Sequence, residues 1–267
     1  MLVLYHATPS VASAKARLVL HEKHLSWQDE ILDLQRGDQH RPDYRALNPG
    51  AVVPTLVHDG QVITESTLIM EYLDEVFPTP PLMPSEPYSR AVARQWMKKI
   101  DDYLHGACAT LTFALAFRRF LLKKTPAELE ARFRAIQDVT VREARRLAVI
   151  HGIAAPHVPP ALQHYDKYIG EMEEALSRLP YLAGDAYSLA DAAVTPYVYR
   201  AEMLGLDRLW LDGRPHVVSW LQRVRARPSF DRAITGVLTD IDKERLSVAR
   251  DETWPVVRGI LLDDSSR

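Results

Sequence analysis

The chain has 267 residues, 47% of them apolar and 25% charged, the balance of a folded globular protein with room for one large domain or two ordinary ones. Its 33 Lys and Arg against 35 Asp and Glu leave a formal charge of −2, which argues against a nucleic-acid or anionic-membrane partner. No apolar run approaches the ~18 residues of a membrane span, and the single cysteine, Cys108, excludes an internal disulfide or a Cys-x-x-Cys redox pair.

Leu2–Tyr5 is a short apolar run that suits a buried strand; it lacks the basic lead of a signal peptide, so a cytoplasmic location is expected. Thr8-Pro9-Ser10 breaks it, and a helix is expected from near Ser13 to about Lys23. Trp27–Leu34 reads as a second strand, parallel to the first, and residues 37–48 as a polar irregular loop holding Gln39 and His40. Val53-Pro54 then leads into a short strand, Thr55–Val57. Asp59-Gly60 signals a two-residue hairpin and Gln61–Ile63 the return strand. Ser66 is expected to cap a helix whose buried stripe is Leu68, Ile69, Tyr72, Leu73 and Val76. The order β-α-β, loop, β-β-α predicts an α+β fold with a thioredoxin-like N-terminal domain.

Four prolines in residues 77–84 read as a linker, giving domains at 1–80 and 88–267. Beyond it the pattern is all-α: a long amphipathic helix over 89–123, another from Thr125-Pro126 to about Ile150, a break over 151–160, and a helix over about 161–179. Ser188-Leu189-Ala190-Asp191 is a capping box before an apolar helix, and residues 215–227 form one more. The last thirty or so residues are charged with scattered apolar positions, a tail expected to wrap the helical domain or fray.

Val-Pro before a strand, the Asp-Gly hairpin and Glu65-Ser66 opening a helix resemble, in order and spacing, the glutathione-binding half of the glutathione S-transferases; the Ser188–Asp191 box is similar to one in their helical half. The resemblance implies glutathione as cosubstrate and a cis Val53–Pro54 bond, with Val53 offering its backbone to the cysteinyl part. It implies that Glu65 and Ser66 hold the γ-glutamyl end, that Gln39 and His40 contact the glycyl carboxylate, and that Asp101 or Asp102 reaches the γ-glutamyl amine across a homodimer interface. Lys15 and Arg17 read as anion helpers or, more commonly, a charged outer face.

Such an enzyme must hold a tripeptide and ionise its thiol, whose free pKa is about 8.5. One hydroxyl bonded to the thiolate is worth roughly 1.5–3 kcal/mol, or about one to two pKa units, so neither a protein nucleophile nor a metal is required. Ser13 is preferred for this role, with Ser10 in the loop and Tyr5 in the strand as alternatives. Ala12 stands where a cysteine-type member carries its thiol. His151, His157 and His164 lack a regular ligand spacing, and Cys108 reads as core.

The implied second substrate is a hydrophobic or aromatic small molecule, in a pocket between the domains bordered by Tyr103, Leu104, Ala107, Cys108, Leu111, Phe113, Tyr197 and Tyr199. Gln39-His40, residues 57–67, Ser13-Ala14-Lys15 and the extra helical segment at about 120–165 are similar to the bacterial β-aryl-etherases, which cleave lignin-derived ethers with glutathione; Ala12 and the C-terminal tail depart from them. A non-catalytic ligand-binding member of the same fold is the remaining alternative.

Overall fold

A computed structural model describes residues 1–248 and 250–264. Four strands, β1 (Leu2–His6), β2 (Gln28–Ile31), β3 (Thr55–His58) and β4 (Gln61–Ile63), form one mixed sheet in the order β2-β1-β3-β4. β1 and β2 are parallel; β1–β3 and β3–β4 are antiparallel, with Leu4 opposite Leu56, both fully buried. Asp59 (φ +48°) and Gly60 (φ +84°) make the hairpin turn, the left-handed pair that a two-residue connection needs to match the strand twist. This is the expected thioredoxin-like arrangement.

Helix α1 (Val11–Glu22) begins earlier than expected: Ser10, not a residue near Ser13, is its N-cap. The irregular loop contains a short 3-10 turn, Asp38–His40, and α2 (Pro42–Leu47), which starts on a proline at its first position. In α3 (Ser66–Val76) the cap position is Glu65, so Ser66 is the first helical residue rather than the cap.

The proline-rich segment is not a loose linker. The buried Lys23 ammonium donates to Phe77 O (2.6 Å) and Pro80 O (2.8 Å) and pairs with Asp74 (2.7 Å). Asp74 in turn accepts from Leu82 N (2.8 Å) and Met83 N (3.0 Å). Segment 77–83 is therefore pinned to the domain that precedes it.

The chain then runs helically through α4 (Pro87–Lys99), a π-helical stretch (Ile100–Leu104), α5 (His105–Leu111), a second π-helical stretch (Thr112–Phe117) and α6 (Arg118–Leu121). The helix expected over 125–150 is two: α7 (Pro126–Arg134), with a Thr125–Glu128 capping box, and α8 (Val139–His151), capped by Asp138. Next come α9 (Val158–Leu176), whose Pro159-Pro160 open a helix instead of breaking one, α10 (Leu189–Met203), α11 (Arg208–Leu211), α12 (Pro215–Arg225) and α13 (Pro228–Phe230). A π turn (Asp231–Thr235), α14 (Asp240–Leu246) and α15 (Arg250–Asp264) follow, so the tail is largely helical; its last three positions lie outside the described residues.

Two compact units result: residues 1–98, 178–196 and 219–239 form one, and 99–177, 197–218 and 240–267 the other. Within the first, the buried Asp191 carboxylate accepts from Leu182 N (3.1 Å), Ser188 N (3.0 Å), Ser188 Oγ (2.8 Å) and Trp220 Nε1 (2.9 Å). Arg227 grips the buried Glu22 through Nε (2.8 Å) and Nη2 (2.6 Å), Ser229 Oγ bonds the same carboxylate, and the Arg227 guanidinium lies over Tyr187 at 4.1 Å.

Burial pushes the Glu22 carboxyl up, but the Arg227 and Ser229 hydrogen bonds outweigh it and hold the group below its ordinary value of 4.5. A carboxyl held down in the folded state adds stability that is present above the unfolded pKa and is lost as pH falls through the folded one. Urea midpoints should therefore drop more steeply below 4.5 for wild type than for Glu22→Gln; parallel acid profiles would show that Glu22 contributes nothing to acid sensitivity.

Candidate functional site

The β1–α1 turn is held from beneath by Arg17. Its Nη1 donates to Ala7 O (3.1 Å), Nη2 to Thr8 O (3.1 Å) and Nε to Ala233 O (2.9 Å), while Nη1 also meets His6 Nδ1 at 3.0 Å. His6 Nε2 bonds Asp29 Oδ1 (2.8 Å). Burial pulls the guanidinium down to about 10 against the raising effect of Asp29. Lys15 and Arg17 are thus not a charged outer face. Helix α1 is buried nearly all round, so it has no such face. Lys15, fully buried, reaches across to Thr67 Oγ1 (2.6 Å) in the first turn of α3.

Around the β1–α1 connection the three candidate hydroxyls occupy different environments. Ser10 is half-buried; its Oγ accepts the Ser13 amide (3.1 Å), and its own O–H has no acceptor among the described residues. Ser13 has no accessible surface (0%) and its Oγ accepts Ala7 N (3.4 Å), so it has no face to offer a ligand. The helix is capped at Ser10, which places Ser13 inside its first turn. Tyr5 packs its ring against Tyr44, centroids 5.7 Å apart.

Val53–Pro54 is cis. The segment before it is fixed by side chains that the sequence did not single out. Asn48 Nδ2 donates to Val52 O and to Thr55 Oγ1 (3.0 Å each), and Tyr44 Oη also bonds Val52 O and meets Thr55 Oγ1 (2.9 Å). The Asn48-Pro49-Gly50 turn signature is the available clue. Among the described residues the N–H and C=O of Val53 itself find no partner.

Glu65 follows with φ +66°, a left-handed value that a non-glycine residue adopts at some cost in strain. It is exposed, and α3 has no side-chain cap, in contrast to α1, α7 and α8. The first-turn amides beyond Glu65 are therefore left to an external acceptor, with the Lys15 ammonium close under Thr67. Gln39 and His40 lie side by side on the 3-10 turn (Nε2 to Nε2 3.3 Å), both half-buried, and Gln39 Oε1 is buried without a hydrogen-bond partner.

The family models for the N-terminal and C-terminal domains of glutathione S-transferase match residues 4–81 and 140–223. Protein LigF of Sphingobium sp. strain NBRC 103272 / SYK-6 is 30% identical over 86% of this chain and 91% of its own. The chain belongs to the glutathione S-transferase family. The crystal structure of the β-etherase LigF superposes with a TM-score of 0.78 at 30% identity, over 87% of this chain and 98% of that one. The tetrachloro-p-hydroquinone reductive dehalogenase of Sphingobium chlorophenolicum is 31% identical over 86% of this chain and 94% of its own. A theta-class transferase from Xanthomonas axonopodis pv. citri, solved with glutathione bound, reaches a TM-score of 0.63 at 26% identity, over 90% of this chain and 98% of that one.

In this glutathione S-transferase family member the second unit holds the remaining candidates. Asp101 is exposed on the first π-helical stretch. Leu104, Ala107, Cys108, Leu111 and Tyr197 are core residues rather than pocket lining; only Tyr103, Phe113 and Tyr199 keep part of their surface. Burial pushes the Cys108 thiol up, which suits an inert core residue. Tyr103 Oη is buried without a hydrogen-bond partner, and burial, with Glu171 and Asp102, raises it to about 12. Among the described residues no group of three or more His, Cys, Asp or Glu side chains could hold a metal, and no helix is long and apolar enough to cross a membrane.

Proposed function

We propose that this chain is a glutathione transferase whose tripeptide lies across the first compact unit, from the 3-10 turn over Val53 to the start of α3, with its sulfur at Ser10. The observation that carries the reading is the uncapped N-terminus of α3 behind the left-handed Glu65, in the chain segment that the cis proline opens. Its free amides and the Ser66 hydroxyl suit the γ-glutamyl carboxylate, and the exposed Glu65 suits the ammonium. The open backbone of Val53 suits the cysteinyl amide, and Gln39 with His40 suits the glycyl carboxylate. The sulfur partner is Ser10 rather than Ser13, because Ser10 keeps both surface and a donor proton.

The second substrate on this reading is a hydrophobic or aromatic electrophile. Cleavage of a β-aryl ether, with the thiolate displacing a phenolate from carbon, is the reading favoured by the similarity to LigF. The protein would act in the cytoplasm as a homodimer, with Asp101 serving the partner's glutathione. Glu71 and Glu75 on α3 and Arg90 and Arg94 on α4 line one cleft, in which Arg94 pairs with Glu71 (2.8 Å), and Glu75 and Arg90 are the charges it offers such an interface.

Calorimetric titration with glutathione tests the first part. Saturable binding is expected, weakened about tenfold or more in Glu65→Ala through loss of a charge-assisted hydrogen bond. A wild-type protein that takes up no glutathione would sink the proposal, whereas binding without phenol release from a β-aryl ether would remove only the etherase part.

A further inference from the structure

Residues 7–10 join β1 to α1, belong to neither, and end in Ser10. Ser10 N closes this connection on Ala7 O (3.2 Å), and Ser13 Oγ takes the Ala7 amide (3.4 Å). The rest of its fixing comes from Arg17, whose Nη1 also donates to Ala7 O and whose Nη2 donates to Thr8 O (3.1 Å each). Arg17 is 2% exposed, so it meets these carbonyls from inside the fold and has no surface to offer a ligand.

Arg17 is itself held on its other edges. Nε donates to Ala233 O (2.9 Å), and Nη1 meets His6 Nδ1 at 3.0 Å. A guanidinium only donates, so His6 accepts through Nδ1 and carries its proton on Nε2, where Asp29 Oδ1 receives it (2.8 Å). Burial, followed by the Arg17 charge, lowers His6 below its ordinary value against the pull of Asp29, which keeps the ring in this neutral form. Asp29 stands two residues before Ile31, the parallel partner of His6, so the two side chains share one face of the sheet. Trp27 Nε1 steadies the same Asp29 oxygen (2.7 Å). A line of side chains, Trp27, Asp29, His6 and Arg17, thus runs through the first compact unit to the peptide groups just before Ser10. A buried cation held by carbonyls and a neutral imidazole is destabilising beside an apolar side chain of the same volume; what it supplies in return is orientation.

We propose that Arg17, locked by His6 and Asp29, is a positioning residue that aims the Ser10 hydroxyl at the glutathione sulfur. The inference rests on the transferase reading, with Ser10 as the partner of the sulfur. A hydrogen bond weakens steeply away from its preferred distance and angle. A connection free to drift would keep the O–H and lose much of its effect on the thiol. Arg17 touches neither the tripeptide nor the sulfur and acts through Ser10 alone, so its loss counts for nothing once the Ser10 hydroxyl is gone.

A double-mutant cycle on the ionisation of bound glutathione tests this. Arg17→Lys keeps the charge and lacks the planar fork that spans two carbonyls, so it is expected to raise the thiol pKa of bound glutathione by about half a unit or more. Added to Ser10→Ala, the same substitution is expected to give no further rise. Affinity for S-methylglutathione, which carries the tripeptide without an ionisable thiol, is expected to stay within about twofold of wild type in both single variants. An unshifted pKa in Arg17→Lys would overturn the positioning role. So would a shift that adds fully to that of Ser10→Ala, or one accompanied by loss of S-methylglutathione binding, since either marks a general structural effect. If Arg17→Lys fails to fold, His6→Phe takes its place in the cycle, because it keeps a ring and removes the Nδ1 acceptor; a smaller rise is expected, and none would equally overturn the role. A wild type that takes up neither ligand would instead remove the transferase reading, and an unchanged thiol pKa in Ser10→Ala would remove the assignment of Ser10, each carrying this inference with it.

Discussion

Ser10→Ala is expected to raise the pKa of bound glutathione by about one to two units, because it removes a hydrogen bond to a charged acceptor worth roughly 1.5–3 kcal/mol at about 1.4 kcal/mol per unit. From a bound pKa about one to two units under the free value of about 8.5, the thiolate fraction at neutral pH then falls by roughly eight- to twenty-five-fold, and turnover falls with it. Ser10 suits this role by its geometry, since its oxygen accepts the Ser13 amide as the cap of α1 and its O–H has no acceptor among the described residues. The same bond creates a confound, because losing an N-cap costs about 1 kcal/mol of stability. Ser10→Gly separates the two, as glycine restores most of the capping preference and none of the hydroxyl. Thiolate absorbance titrated in wild type, Ser10→Ala, Ser10→Gly and Ser13→Ala checks the assignment. The two Ser10 variants should shift together and Ser13→Ala should not; a shift in Ser13→Ala alone would return the role to Ser13.

The largest stability effect is expected at Asp191. Its buried carboxylate collects four hydrogen bonds, and Asp191→Ala would leave the Leu182 amide, the Ser188 amide and the Trp220 indole N–H without it. Each buried donor left unmade costs about 1–3 kcal/mol, so a loss of about 3 kcal/mol or more is expected, a large part of an ordinary domain's total. Burial raises the Asp191 carboxyl against the pull of these four donors, which marks how far the group depends on keeping them. Urea unfolding followed by tryptophan fluorescence reads the change directly, since Trp220 is one of the donors. A midpoint within experimental scatter of wild type would show that water or another acceptor replaces the carboxylate.

The parts of this chain that are legible in its sequence are those whose causes are local. The Asp59-Gly60 hairpin and the Ser188–Asp191 capping box each follow from residues a few positions apart. The cis Val53–Pro54 bond and the start of α3 at Glu65-Ser66 are visible for the same reason, since these residues lie within one short run. The start of α1 is ambiguous in the sequence because Ser10 and Ser13 are both acceptable caps, and only the packing of the helix decides between them. The break between α7 and α8 is hidden because apolar residues continue through it, although Asp138 is there to cap the second helix. Lys15 and Arg17 look like surface charges because their partners, Thr67 and Ala233, lie 52 and 216 residues away. No window on the sequence contains such pairs, so a buried cation looks the same as a solvated one until the fold is known.

The composition of the first unit bears on how members of this family can be recombined. Segments 178–196 and 219–239, distant in the chain, belong with the sheet's unit, the first tied to it by Leu189 N–Leu82 O and Trp96 Nε1–Leu182 O, the second by Glu22–Arg227 and Arg17–Ala233. A chimera spliced at the proline-rich segment, with a donor's entire helical half placed behind this sheet, would exchange those partners for foreign ones and strand the Glu22 carboxylate and the Arg17 guanidinium away from water. Altering substrate preference by shuffling therefore calls for an interleaved graft, in which the stretches 99–177, 197–218 and 240–267 are traded and 178–196 and 219–239 stay behind.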